Sequence, residues 1–152
     1  MNIKRILLIG LILVAVAASL SIVSADNSVK VGGIDFNIPD GFTENETMAL
    51  DHVSGSYPSN DGELSCSMSF KGFKNGKNSI AIGVIEFDSQ VDAKKAYDYA
   101  EENVNVTSKT VNGHERICYK ETPLCEFDYC TDKYFISITV SDESLLEKVV
   151  PK

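Results

Sequence analysis

Residues 63–104 read ELSCSMSFKGFKNGKNSIAIGVIEFDSQVDAKKAYDYAEENV, and this stretch decides the fold. Leu64, Cys66, Met68 and Phe70 alternate with Ser65, Ser67 and Ser69, the two-residue period of a strand with one buried face. Lys74-Asn75-Gly76-Lys77 then predicts a type I′ turn, because Asn and Gly accept the positive φ that matches strand twist. Centring a hairpin there sets Phe70 opposite Ala81, Met68 opposite Gly83, Cys66 opposite Ile85 and Leu64 opposite Phe87, a register in which every facing residue is apolar or small. Ser89 to Asp92 reads as a capping-box-like start, and Ala93, Ala96, Tyr97, Ala100 and Val104 follow at helical spacing. The expectation is a helix laid over one face of the hairpin. Ile80, Ile82 and Val84 occupy the opposite face, and a strand apolar on both faces is central and covered on both sides.

Downstream, Thr107 to Lys120 predicts strands broken by Asn112-Gly113. A second hairpin turning at Asp132-Lys133 pairs Tyr129 with Ile136, Phe127 with Ile138 and Cys125 with Val140, leaving Glu126 and Asp128 outside. Ser141 or Asp142 caps a short final helix bearing Leu145, Leu146 and Val149, with Pro151 beyond its end. Upstream, Val29 to Ile38 reads as a first strand whose phase changes at Gly32-Gly33, the mark of a bulge or tight turn. Thr43 to Val53 fits either a short helix capped by Thr43 and Glu46 or a strand from Thr47, and Ser54 to Gly62 is a loop by composition. The predicted fold class is α+β, a curved, mainly antiparallel sheet with two helices in the order βββα-βββα. The Ile80 face then takes further cover from the 43–53 segment or from a partner chain.

The domain follows an N-terminal signal or anchor helix. Lys4 and Arg5 precede an apolar run from Ile6 to Leu20, and Val23-Ser24-Ala25 offers small residues for signal peptidase, so residues 1–25 read as a cleaved signal peptide. The apolar stretch from Ile6 to Val23 is also long enough to remain as an uncleaved membrane anchor. Either way residues 26–152 form a single domain outside the cytoplasm, extracellular or at the cell surface. Without Lys4 and Arg5 that domain carries 12 basic against 22 acidic side chains, a net charge of −10. Such acidity argues against nucleic acid and anionic lipid as partners, and contact with the membrane is expected only through the N-terminal helix.

Cys66, Cys118, Cys125 and Cys130 all lie in the exported part, where an even count suggests two disulfides. A four-thiolate zinc site competes, but the spacings lack close Cys-x-x-Cys pairs, and free thiols are the remaining alternative. Strand parity puts Cys66 and Cys125 inward and Cys118 and Cys130 outward, which predicts the bridges Cys66 to Cys125 and Cys118 to Cys130. Asn45-Glu46-Thr47 and Asn105-Val106-Thr107 are glycosylation sequons at expected segment boundaries, and chance triplets explain them equally well.

Chemistry is sparse. His52 beside Asp51, with Glu44 and Glu46 close in sequence, is a candidate metal or general-base site, weighed against an isolated surface histidine. His114 sits in a turn. The serines lack a Gly-x-Ser-x-Gly or Ser-x-x-Lys setting, Asn60-Asp61-Gly62-Glu63 lacks the alternating ligands of a calcium loop, and neither a Walker loop nor a dinucleotide-binding glycine pattern is present. No catalytic, cofactor-binding or metal-binding residue is therefore assigned.

Gly33 to Phe42 (Gly-Ile-Asp-Phe-Asn-Ile-Pro-Asp-Gly-Phe), the Ala-Lys-Lys-Ala helix and Val111-Asn112-Gly113, behind a signal-like start, resemble small exported proteins of unknown function from methanogenic archaea. The arrangement is also similar, at fold level, to Mog1/PsbP-like α-β-α sandwiches. Neither resemblance supplies a catalytic residue. The functional expectation is a non-enzymatic exported domain that binds a cell-surface protein or ligand; the alternative is a hydrolase-like enzyme with a site around Asp51 and His52.

Overall fold

A computed structural model describes residues 28–102, 107–119 and 124–152, and they form an α+β, mostly antiparallel structure with two helices. Its centre is the hairpin of β5 (Gly62–Asn75) and β6 (Asn78–Phe87). The loop is Gly76-Lys77, closed by Asn75 opposite Asn78, with Gly76 at φ +57. Positive φ at the first loop residue alone is the type II′ arrangement. Met68 consequently faces Ile85 and Cys66 faces Phe87, two residues along from the pairs expected. A shift of two preserves which face each side chain occupies, so alternation alone cannot distinguish the registers.

The strands before this hairpin are β1 (Ser28–Val31), β2 (Ile34–Asn37), β3 (Thr43–Glu44) and β4 (Leu50–Ser59). The helix α1 (Gln90–Glu102) follows it, then β7 (Thr107–Val111), β8 (His114–Tyr119), β9 (Cys125–Thr131), β10 (Tyr134–Val140) and the short α2 (Leu146–Val149). The main sheet runs β3-β5-β6-β10-β9-β8-β7, with β4 also paired to β5. The register of β9 and β10 places Tyr129 opposite Ile136, Phe127 opposite Ile138 and Cys125 opposite Val140, as expected.

Six strands precede α1 and four follow it among the described residues, so the order is not βββα-βββα. After α1 the extra strand arises because residues 107–119 are two paired strands, β7 and β8; two readings account for the extra strands before it. Residues 28–37 are two strands, because Gly32 and Gly33 both take positive φ (+54 and +83) and fold the segment back as a separate ribbon. The segment 43–62 is also not simply a helix or a loop. Asn45 caps a 3-10 turn at Glu46–Met48, and the Ser-, Gly- and Pro-rich run that follows is strand β4, turning at Asn60-Asp61 into β5. That composition suits a strand exposed along one edge as well as it suits a loop.

Both sheet faces are buried. On one, Ala93, Ala96 and Ala100 of α1 pack against Ile85, Phe87 and Phe135. Ser89 starts α1 as expected, accepting from the Asp92 N–H at 3.2 Å and donating to its carboxylate at 2.7 Å. On the other face Ile80, Ile82, Val84, Phe127, Ile136 and Ile138 meet Val31 and Phe36 of the ribbon and Leu146 and Val149 of α2. Cover for the Ile80 face thus comes from the ribbon and the C-terminal helix, rather than from residues 43–53 or a partner. Asp142 caps that last segment by accepting from the Ser144 N–H at 2.9 Å.

Glu126 and Asp128 do not lie outside. Both fall on the α1 side of β9, where Asp128 is only 3 % exposed. Burial pushes the Glu126 carboxyl above its usual range, while the hydrogen bond it accepts from the Ser137 hydroxyl at 3.0 Å opposes that shift. Ser69, expected on the outer face with Ser65 and Ser67, is likewise buried and accepts from the His52 N–H at 3.0 Å.

Candidate functional site

Three places bear on function: the residues singled out by sequence, a cleft beside α1, and the free edge of β4. Asp51 and His52 sit in a bulge of β4, where two residues oppose Ser69 and His52 takes φ +49. His52 Nδ1 and Asp51 Oδ1 are 2.7 Å apart, with both side chains exposed. No further acid joins them. Glu44 pairs instead with Lys71 at 3.1 Å, and no cluster of three metal-ligating side chains occurs among the described residues.

The cysteines do not take the expected parity. Cys66 packs on the α1 face while Cys125 packs on the ribbon face, so the sheet itself separates the two members of the first predicted bridge. Cys118 takes a register position opposite Phe127, and Cys130 lies opposite Phe135 on the α1 side; the side chain of Cys118 lies outside the described residues. Cys66 and Cys130 are free thiols, and burial raises the pKa of both. Of the sequons, Asn45 is 8 % exposed with its Oδ1 accepting from the Thr47 N–H and hydroxyl. Asn105 lies outside the described residues, as do residues 1–27.

A cleft of about 770 Å³ opens between the first half of α1 and the ends of β8 and β9. It exists because β8 pairs with β9 only over Ile117–Tyr119, leaving His114 and the far end of β9 splayed. Val91, Lys94, Asp98, His114, Tyr129 and Cys130 are among its lining residues. Lys94 is held by Asp98 at 2.7 Å, and His114 stacks on Tyr129 with ring centroids 4.3 Å apart. The imidazole therefore rests on the ribbon face and the Cys130 thiol belongs to the α1 face. No hydrogen bond joins Cys130 to His114, so this is not a thiol–imidazole pair of the kind that activates a nucleophile.

The edge of β4 carries two of the exposed large apolar side chains among the described residues. Among the described residues its only ladder partner is β5, and its outer backbone is open to them. The tip of the β4–β5 hairpin is tied to α1 by Asn60 to Glu102 at 2.7 Å and Lys95 to Asp61 at 3.0 Å, which holds the edge in place. Leu50 and Val53, each 44 % exposed, stand beside the partly buried Met68 and Phe70 on the α1 side of the sheet, beyond the helix. Sequence reasoning missed this strip because it left residues 43–53 open between a helix and a strand and took residues 54–62 as a loop. The alternation of Val53, Gly55 and Tyr57 with serines was the available signal.

Comparison with protein-family models, with curated proteins and with solved structures yields no match.

Proposed function

We propose that this chain is an exported, non-enzymatic domain that binds a partner or ligand at the cell surface, and that the free edge of β4 with its apolar strip is the contact surface. Export follows from residues 1–25 acting as a signal peptide or anchor helix ahead of a curved antiparallel sheet. The observation that carries the reading is the half-exposure of Leu50 and Val53 on a strand whose outer backbone has no ladder partner among the described residues. Open strand edges are a recurrent mode of recognition: main-chain hydrogen bonds supply affinity, and alternate side chains supply specificity.

Affinity capture from native cell-surface material tests it, using the full chain in parallel with a Val53→Lys variant. A partner retained by the wild type and lost by the variant is the expected result. Recovery of nothing by either protein, together with turnover in a broad hydrolase screen, would overturn the reading. For export, N-terminal sequencing of the product is expected to begin at Asp26. A chain starting at Met1 in the membrane fraction would establish the anchor instead.

A further inference from the structure

We infer that the partner of the β4 edge is a second copy of this chain, paired antiparallel about Gly55 to continue the sheet across a two-fold axis. The inference rests on the reading of β4 as the contact surface and adds the identity of the occupant.

The hydrogen-bond phase of the hairpin comes first. Ser59 opposite Gly62 closes a two-residue turn, and such a closing pair exchanges both backbone bonds. Alternating from there, Tyr57, Gly55 and Val53 bond inward to β5, while Pro58, Ser56 and Ser54 direct their backbone groups to the open side. Pro58 fits this phase, since its missing N–H costs the β4–β5 ladder nothing there.

Two features bound the usable edge. Pro58 offers no donor at one end, and the bulge at Asp51-His52 breaks the ladder at the other. Pro58 and His52 stand three residues either side of Gly55. Between them lies Val53-Ser54-Gly55-Ser56-Tyr57, whose chemistry reads the same in both directions: apolar, serine, glycine, serine, apolar. An antiparallel copy centred on Gly55 therefore sets Ser54 opposite Ser56 of the second copy, so that the outward N–H and C=O of each meet the other. It also sets Val53 opposite Tyr57 of the second copy, covering an apolar side chain now left half-exposed. A two-fold contact demands this kind of self-complementarity.

Charge agrees. Residues 53–60 carry no charged side chain, in a chain of formal charge −8, so two acidic molecules approach here without like charges meeting. Gly55 has no side chain at the axis, and its place on the α1 side is taken by the Met68 methyl of its own chain. Neighbouring backbones can thus come as close as a non-hydrogen-bonded pair requires.

The test is sedimentation equilibrium of the full chain over a concentration series, with amide hydrogen exchange read residue by residue. The expected result is a monomer–dimer equilibrium in which Ser54 and Ser56 amides gain protection with concentration while Gly55 and Tyr57 do not change. Ser56→Pro removes an outward donor and Val53→Lys places a charge opposite Tyr57 of the copy; each is expected to weaken dimerisation at least about tenfold with circular dichroism unchanged. A monomer at every concentration, or a dimer that survives both variants, overturns the inference. A monomer whose Ser54 and Ser56 amides become protected on adding captured cell-surface material would replace the second copy with a foreign strand and leave the binding reading standing. A monomer showing no such protection would sink both.

Discussion

Asn112 does two jobs at the turn between β7 and β8. It takes φ +50 there, and its Nδ2 donates to the carbonyls of Glu147 at 3.0 Å and Val150 at 2.8 Å, so the turn holds the end of the C-terminal helix. Asn112→Asp replaces that donor with an acceptor aimed at two carbonyls and should cost about 1–3 kcal/mol in urea denaturation. Asn112→Gly keeps the turn and loses only the bonds, for about 0.5–1.5 kcal/mol. Equal losses in the two variants would show that the amide clamp is irrelevant. Glu126 makes a prediction of a different kind, because its folded pKa is raised by burial. A raised carboxyl stabilises the fold below the ordinary carboxyl range, and that contribution is lost as pH rises through the folded value. Glu126→Gln retains an oxygen for Ser137 and has no charge to bury. Its stability relative to wild type should therefore rise as pH increases from about 4, the usual glutamate value. A difference that stays flat with pH would count against burial as the cause. The position of Glu126 itself was misread in sequence: a polar residue alternating with Phe127 looks solvated unless the helix above it is counted.

At the scale of elements, the ribbon of β1 and β2 depends on two adjacent glycines that differ in what surrounds them. A Cβ on Gly32 would lie 2.7 Å from Val84 Cγ1, whereas one on Gly33 meets nothing within 4 Å, and both residues have positive φ. Gly33→Ala should then cost only the left-handed backbone penalty, about 1–2 kcal/mol, and Gly32→Ala should cost more because the ribbon must lift from β6. Urea midpoints of the two variants measure the gap, and a larger loss at Gly33 would mean that the ribbon's seat on Val84 is misassigned. Much of the element pattern was legible beforehand. The caps at Ser89 and Asp142, the β9–β10 register and the central placement of β6 follow from residue periodicity and turn chemistry alone. The β5–β6 register slipped because Asn75-Gly76 and Gly76-Lys77 are both acceptable loops, and the two choices differ by an even shift to which alternation is blind. Strand β4 was hidden for another reason: an edge strand buries little, so its serines and proline carry the composition of a loop.

For the whole molecule, covering both sheet faces decides which surfaces remain for function. The Ile80, Ile82 and Val84 face offers no contact surface, since these side chains are 0–1 % exposed beneath the ribbon and α2. The candidate contact surface therefore moves to β4, on the α1 side, where the helix ends short of Leu50 and Val53. That shift was illegible in sequence because it depends on how far a helix reaches across a sheet, a tertiary quantity with no local signal. The expected Cys66 to Cys125 pairing meets its difficulty at the same scale. Inward-facing Cys66 and inward-facing Cys125 were each assigned correctly to an apolar face, but a sheet buried on both sides has two such faces. If the ribbon is an integral layer and not a decoration, Phe36, at 1 % exposure between the sheet and the rest of the ribbon-side core, should behave as a core residue. Phe36→Ala is expected to cost about 3–5 kcal/mol, a large share of the roughly 5–15 kcal/mol that holds a typical domain folded. The variant should also bind a hydrophobic dye as the Ile80–Ile82–Val84 surface becomes accessible. Chemical denaturation with dye fluorescence measures both, and a loss below about 1 kcal/mol without dye binding would show that the sheet stands without its ribbon.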